Sequence, residues 1–311
     1  MRSDRLKGYV FAVIATVAYA NIYVFSKAAL NEVHLAQFGV YWFLIAFSLN
    51  MAWFLKKGGM RNLSCLSRKD WGVLTLLGGL EILTTTFFFL SVSMIPNPAV
   101  TSFIGNLYPV ILTFLGIVFL KETFTWIEVL GGAVALLGAF IISYQGGTSL
   151  SELFIPGAGV VLANAFFASV ASVVVKVNVK NMSPELINTN RTFWLLLYSL
   201  VLMLAMNEPW TIPANAMLNI AVGATLGPFI GILMIYYSFR YLEVSKSSIV
   251  QSLKGICVLI GSYFYFGTFP EIFQLAGGGL TIVGVVIISM ARTSVFRKKS
   301  KPGDTNRILR L

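Results

Sequence analysis

The sequence predicts an all-α polytopic membrane protein of ten transmembrane helices, arranged as two inverted five-helix repeats. Three observations predict it. The 311 residues are 57% hydrophobic and 11% charged; charge that sparse cannot cover a water-facing surface, where about a quarter of residues are ordinarily charged. Apolar runs of about 20 residues, the length that crosses a hydrocarbon core, recur from end to end. The stretch Phe119–Ser143 returns at Tyr265–Ser289 with a constant offset of 146, so that Gly131, Gly132, Gly138, Ile141, Ile142 and Ser143 fall on Gly277, Gly278, Gly284, Ile287, Ile288 and Ser289.

The spans follow in order. The first, about 8–28, comes after the basic start Arg2, Arg5, Lys7; its apolar run continues to about Phe25 and nine more spans follow, so it reads as an uncleaved helix and not a signal peptide. The second, 36–55, stops at Lys56 and Lys57. The third, 71–94, lies between Arg68-Lys69 and the breaker Pro96-Asn97-Pro98, and the fourth, 98–119, starts at the last of those prolines. The fifth, 125–144, is the first copy of the repeated stretch: a short turn, then a small-residue-rich apolar helix that stops before Gly146-Gly147. The sixth and seventh, 156–176 and 185–206, precede Pro209 and Pro213. The eighth is 217–239, the ninth 245–266 ends at Gly267 to Pro270, and the tenth, 272–292, is the second copy of the repeat. This divides the chain into a first repeat, 1–147, a second, 148–293, and a basic tail, 294–311, expected to be disordered. No water-soluble domain is expected.

Orientation follows from Lys and Arg. Twenty of the 23 basic residues fall on one side: the N-terminal tail, the loop from Lys56 to Lys69 with Arg61, Lys121 after span four, Lys176 and Lys180, Arg240 and Lys246, and the C-terminal end. The opposite connections carry Glu32, His34, Glu152, Glu208 and Glu271. Both termini are therefore expected in the cytoplasm, in a bacterial inner membrane. The net charge of +11 is a topology signal, and a nucleic-acid partner is not expected. Five spans per repeat is an odd number, so the second repeat enters the bilayer from the other side. Lys27 and Lys176 occupy one place in the repeat on opposite sides of the membrane. Inverted repeats of this kind rock about a central site in many secondary transporters.

Ionisable residues inside spans mark candidate function. Glu81 lies about ten residues into span three, roughly 15 Å deep at 1.5 Å per residue, and Lys254 about nine residues into span nine. Each costs at least about 2.5 kcal/mol at that depth, so each faces a wet cavity or the two face each other as a structural ion pair. Arg191 lies nearer the basic side and reads as snorkelling or a structural hydrogen bond. Lys27 reads as interfacial, and Glu122 and Glu128 as surface or helix-end charges. Tyr19 and Asn21 of span one, Ser102, Asn106 and Tyr108 of span four, Asn164 of span six and Gln251 of span nine complete the candidate substrate-binding set; Thr84 to Thr86 and Ser252 lie near them. Asn106, Asn164 and Gln251 are costly to bury and weigh more than Ser or Thr, which often bond their own helix. Tyr108 and Lys254 share the 146 offset: one offers a ring and hydroxyl, the other a cation, which suits a ligand with an aromatic and an anionic end. Phe87 to Phe89, Phe166, Phe167 and Trp42 add apolar wall or face lipid and core. Gly223, Gly227 and Gly231, with Pro228, read as close packing and a bend point in span eight. Gly131–Gly138 and Gly277–Gly284 read as packing.

Taken together, these features resemble the drug/metabolite transporter superfamily, EamA type. Glu122-Thr-Phe-Thr-Trp followed by Gly131-Gly132 resembles its junction between helices four and five, Pro109 its helix-four proline, and Pro184 with Arg191 the proline-to-arginine spacing that opens helix seven. Gly255, where a second proline is expected, and Trp42, opposite Arg191, depart from the pattern. Within the superfamily the chain is most similar to the YddG-type exporters of aromatic amino acids. The resemblance implies a central cavity lined by helices one, three, four, six, eight and nine, with five and ten peripheral.

The expected function is a secondary transporter exporting aromatic or other large neutral amino acids by alternating access, with a small-molecule substrate and the lipid bilayer as partners and no cofactor. Export of another metabolite or drug-like compound, or a facilitative uniporter or channel-like pathway, is the alternative. An enzyme would need a constellation that the sequence lacks: its one histidine, His34, lies at the outer surface, and no metal motif is present. No GxxxxGK[ST] phosphate loop exists for a nucleotide-driven pump, no filter repeat for a channel, and Cys65 and Cys257 form no disulfide framework.

Overall fold

A computed structural model describes residues 2–63, 66–108, 110–112, 114–115, 125–144, 154–178, 182–241, 250–251 and 253–299. Cys65, Pro109, Lys121, Glu122, Gly146, Gly147, Glu152, Lys180, Lys246 and Ser252 lie outside the described residues. The helices are α1 (Arg2–Leu30), α2 (Leu35–Lys56), the short α3 (Gly59–Leu63), α4 (Arg68–Met94), α5 (Pro98–Gly105), α6 (Trp126–Ser143), α7 (Ala158–Asn178), α8 (Pro184–Met206), α9 (Ala214–Ala224), a π-helical segment (Thr225–Gly231), α10 (Ile232–Tyr241), α11 (Lys254–Phe266) and α12 (Ile272–Lys299). Among the described residues seven helices are long and apolar enough to cross a membrane, and shorter apolar stretches lie in α5, α11 and α12. The chain is a multi-pass membrane protein.

Local chemistry sets the helix ends. Asn97 and Ser183 accept hydrogen bonds from the first turns of α5 and α8, each followed by proline at the first helical position, where a missing N–H costs nothing. Thr125 and Glu128 form a capping box at the start of α6, so Glu128 is 3% exposed and holds a helix end rather than a surface position. His34 forms the corresponding box with Gln37 on α2. α12 continues to Lys299, into the basic tail expected to be disordered; Lys and Arg are good helix formers and extend a helix already nucleated in the membrane.

α6 and α12 touch backbone to backbone. A Cβ on Gly138 would meet Gly277 O at 2.6 Å, and one on Gly131 would meet Gly284 O at 2.8 Å. The pairs run in opposite senses, so the helices are antiparallel. Under the 146 offset Gly277 is the counterpart of Gly131, and Gly284 of Gly138. Each glycine thus meets the counterpart of the other under that spacing. Other packed pairs are α2 on α8, α5 on α11, α4 on α7, and α1 on α9, the π segment and α10.

Spans four and nine are interrupted. α5 stops at Gly105, and Leu107 N then bonds Ile104 O at 3.0 Å; Leu253 N bonds Val250 O at 3.2 Å just before α11 begins. These i→i−3 turns are 146 residues apart, the offset of the repeated stretch in the sequence. Tyr108 and Lys254 follow them directly. Span eight bends at Pro228, inside the π segment, where proline removes a backbone donor and the turn widens. Its glycines also admit span one: a Cβ on Gly227 would meet Ile22 Cγ1 at 2.1 Å, and one on Gly231 would meet Tyr19 N at 3.1 Å.

Candidate functional site

The interrupted and bent helices enclose a central cavity of about 180 Å³, room for roughly ten ordered waters. α1 contributes Tyr19, Ile22 and Tyr23; α4 contributes Glu81, Thr84, Thr85, Phe88 and Phe89; α7 contributes Asn164 and Ser172. The break in span four brings Asn106 and Tyr108, the break in span nine Gln251 and Lys254, and the bend in span eight Pro228, Ile232 and Tyr236. Trp42 of α2 and Arg191 of α8 also enter the wall, which makes those spans part of it as well. α6 and α12 contribute nothing to the lining.

Seven of the nine candidate residues meet here: Tyr19, Glu81, Asn106, Tyr108, Asn164, Gln251 and Lys254. Asn21 and Ser102 do not line the cavity. Asn21 Nδ2 turns back to Val17 O at 2.7 Å on its own helix, and Ser102 is fully buried in α5, one turn above the break. Of the aromatics, Trp42, Phe88 and Phe89 line the wall, whereas Phe87 stacks on Phe167 at 5.7 Å outside it.

Of the two readings open for Glu81 and Lys254, the mutual ion pair is not the one found: both line the cavity, and Glu81 pairs elsewhere. Arg191 Nε donates to Glu81 Oε2 at 2.6 Å, and both side chains are 13% exposed; Arg191 Nη2 also reaches Thr85 Oγ1 at 3.3 Å. Arg191 is therefore a cavity residue, and it does not snorkel. The physical reason is reach: a guanidinium on the second turn of α8 extends inward to the depth of Glu81, where a carboxylate offsets the cost of burial. Lys27, near the end of α1, reaches the end of a neighbouring helix. It is 7% exposed, and its Nζ donates to Ser93 O at 2.9 Å, complementing the C-terminal carbonyls of α4.

Lys254 Nζ lies 5.7 Å from the ring centroid of Tyr19 and 5.8 Å from that of Tyr23. Among the described residues no carboxylate lies within ion-pair distance of it. The two rings hold the cation by its attraction to their faces, at the first residue of α11, where helical N–H groups also favour an anion. With Glu81 and Arg191 cancelling, the cavity carries an uncompensated positive charge at Lys254. Opposite, Tyr108 Oη and Ser172 Oγ share a hydrogen bond of 2.7 Å, and Asn164 Nδ2 donates to Thr84 O at 2.8 Å, tying α7 to α4.

Sequence reasoning passed over the polar run Asn188-Thr189-Asn190-Arg191-Thr192. Asn188 Nδ2 donates to Asn50 Oδ1 at 2.7 Å and to Pro228 O at 2.9 Å; Asn50 Nδ2 donates to Pro228 O at 3.3 Å. Two buried asparagines thus hold the carbonyl at the bend of span eight. Asn190 Nδ2 donates to Leu74 O at 2.9 Å. Five contiguous polar residues inside an apolar span were the signal.

The family described as EamA-like transporter family matches residues 6–144 and, a second time, 155–290. A probable terminal-alkyne amino-acid exporter of Streptantibioticus cattleyicolor is 29% identical over 196 residues, 63% of this chain and 65% of that protein, just short of two thirds of its length. An uncharacterised transporter of Methanothermobacter thermautotrophicus is 25% identical over 300 residues, covering 92% of this chain and 85% of its own. A solved crystal structure superposes over 97% of this chain and 100% of its own with a TM-score of 0.66 and 17% identity, a likeness of fold alone.

Proposed function

We propose, for a chain that belongs to the EamA-like transporter family, that it exports zwitterionic amino acids with large side chains by alternating access. The family and the named relatives are transporters, not enzymes. The observation that carries the substrate class is Lys254: a cation in a cavity, facing two tyrosine rings and, among the described residues, within ion-pair distance of no carboxylate. A substrate carboxylate supplies the missing charge, while its apolar side chain packs toward Phe88, Phe89 and Trp42. Its ammonium group meets Glu81, for which it competes with Arg191. Asn106, Asn164 and Gln251 supply the polar wall, and Tyr108 faces the site from the pseudo-equivalent position. The exporter relative supports an amino acid as cargo and extends the class to non-aromatic side chains.

Two inverted repeats, 1–147 and 148–293, supply the motion in this reading. The reciprocal glycine pairs of α6 and α12 and the matching breaks of spans four and nine support it. In the same reading the protein sits in a bacterial inner membrane with both termini in the cytoplasm, which the distribution of Lys and Arg supports.

Cells overproducing the protein are expected to tolerate toxic aromatic amino-acid analogues and to accumulate less of them. Equal accumulation at proven expression overturns the substrate class. Purified protein in liposomes, loaded with labelled phenylalanine or a straight-chain amino acid and compared with and without a proton gradient, ranks the two substrate types and distinguishes coupled from facilitative transport.

A further inference from the structure

A second pocket, of about 550 Å³, lies away from the cavity at the ends of α1, α2, α8 and α10. This is the side on which nearly all Lys and Arg residues fall. Two of its wall residues are cations: Lys57, the C-terminal cap of α2, and Arg240, in the last turn of α10. Among the described residues neither meets a carboxylate within ion-pair distance. Lys57 Nζ sits 5.0 Å from the ring centroid of Trp53, and the Arg240 guanidinium carbon 5.9 Å from that of Tyr237. The wall's own carboxylate, Glu185, is 8% exposed and accepts from Tyr237 Oη at 2.5 Å. Two cations therefore face the pocket against one carboxylate already engaged.

The level and the apolar wall decide what anion fits. Lys57, Arg240 and Ser183 all stand at helix ends, where headgroups meet a bilayer, and Trp53, Tyr237 and Tyr241 beside them form the aromatic belt of that interface. Phe11 of α1 lines the pocket against the rings of Tyr237 and Tyr241. Around it, α1 turns outward a stripe of Val10, Val13, Ile14 and Val17, each at least 42% exposed. A free phosphate would use the cations and leave the apolar wall idle. A lipid uses both, and basic pockets between spans on the cytoplasmic side hold acidic headgroups. We infer that this pocket binds the phosphate of an anionic glycerophospholipid through Lys57 and Arg240, with the acyl chains lying along the outer face of α1. A zwitterionic headgroup would bring its ammonium against the same two cations, so the site selects net negative lipids.

The test uses purified full-length protein and binding readouts alone, so its result does not depend on the substrate. Thermal unfolding and native mass spectrometry are compared with phosphatidylglycerol, with phosphatidylethanolamine, and with inorganic phosphate. Phosphatidylglycerol is expected to raise the unfolding temperature and to remain bound in the gas phase, with phosphatidylethanolamine and millimolar phosphate doing neither. K57Q/R240Q is expected to lose at least tenfold in apparent affinity for phosphatidylglycerol while unfolding as the wild type does in phosphatidylethanolamine; K57R/R240K is expected to retain binding. If the double variant does not fold, each single variant carries the test with a loss of several-fold. Equal stabilisation by both lipids, or unchanged binding in the neutral variants, overturns the site. Stabilisation by phosphate alone to the same extent overturns the lipid as its occupant.

Discussion

Arg191 Nε donates to Glu81 Oε2 across 2.6 Å, closing an ion pair between α8 and α4 inside the cavity. The pair has two consequences. It leaves Lys254 as the cavity cation without a carboxylate partner among the described residues, and it makes Glu81 a group that a substrate ammonium must share with Arg191. Removing one member leaves the other's charge uncompensated in a largely buried site. Arg191→Ala is expected to lower stability by about 3–5 kcal/mol, and Glu81→Ala by a similar amount. The double variant recovers most of that loss, because neither charge is then stranded. Thermal unfolding in one detergent reads all three; losses that simply add would show that the two side chains do not interact.

Lys254 behaves differently. Among the described residues no carboxylate pairs with it, so Lys254→Gln is expected to leave the unfolding temperature near that of the wild type while substrate binding falls at least tenfold. Isothermal titration with an amino acid and with its decarboxylated amine separates the roles. The wild type prefers the amino acid, and the variant loses that preference. A variant that still discriminates between the two would place the carboxylate elsewhere.

The bend in span eight gives a kinetic prediction. Asn188 and Asn50 both donate to Pro228 O, a carbonyl in a π-helical turn where proline has already disturbed the backbone ladder. Asn188→Ala removes the shorter of those bonds and orphans Asn50 Oδ1, at a cost of about 1–3 kcal/mol. Pro228 lines the cavity, so a loosened bend is expected to alter turnover more than substrate affinity. Unchanged kcat together with raised KM would assign the clamp to binding instead of motion.

The sidedness read from the basic residues can be checked with cysteines at two exposed positions, in a background without Cys65 and Cys257. Pro96→Cys, between α4 and α5, is expected to react with a membrane-impermeant maleimide applied to whole cells. Met60→Cys, 60% exposed in the basic connection, reacts only after the cells are opened. The reverse pattern would invert the topology.

The sequence carried the all-helical, multi-pass character of the chain and most of the residues that line the cavity, because length, hydropathy and isolated polar residues in apolar runs are properties of a string. It did not carry the partner of Glu81. Partnership depends on how each helix is rotated, and helices apolar on all sides offer no polar face by which to fix that rotation. For Arg191 the sequence left snorkelling and a structural hydrogen bond open, and only the structure supplies the bond and its partner, Glu81. For Lys27 it gave a place near a helix end but not the partner, Ser93 O, in the last turn of α4. The breaks in spans four and nine escaped as well, although the first carries a sequence signal: α5 stops at Gly105, four residues before Pro109, and proline offers no N–H to the carbonyl four residues back.

The glycines at the α6–α12 crossing give the sharpest contrast. Gly132 and Gly138 are both in α6 and both belong to the repeated stretch, but they face different surroundings. A Cβ on Gly132 would rest 3.7 Å from Val110 Cγ1, an ordinary contact. Gly132→Ala is therefore expected to be neutral or to stabilise by up to about 1 kcal/mol, the helical advantage of alanine over glycine. A Cβ on Gly138 would stand 2.6 Å from Gly277 O and 2.7 Å from Thr281 N. Those atoms are backbone and cannot rotate aside, so the helices must separate along their length, and Gly138→Ala is expected to cost about 1–3 kcal/mol. Gly284, the counterpart of Gly138 in the other half, would place its Cβ 2.5 Å from Gly131 O, and Gly284→Ala should cost as much. Because either substitution already spreads the same crossing, G138A/G284A together should cost less than the two separate losses combined. Thermal unfolding of the four variants tests the arrangement. If Gly138→Ala proves as mild as Gly132→Ala, the close antiparallel crossing is wrong; if Gly138 and Gly284 differ widely, the two halves are not related by the axis that their spacing implies.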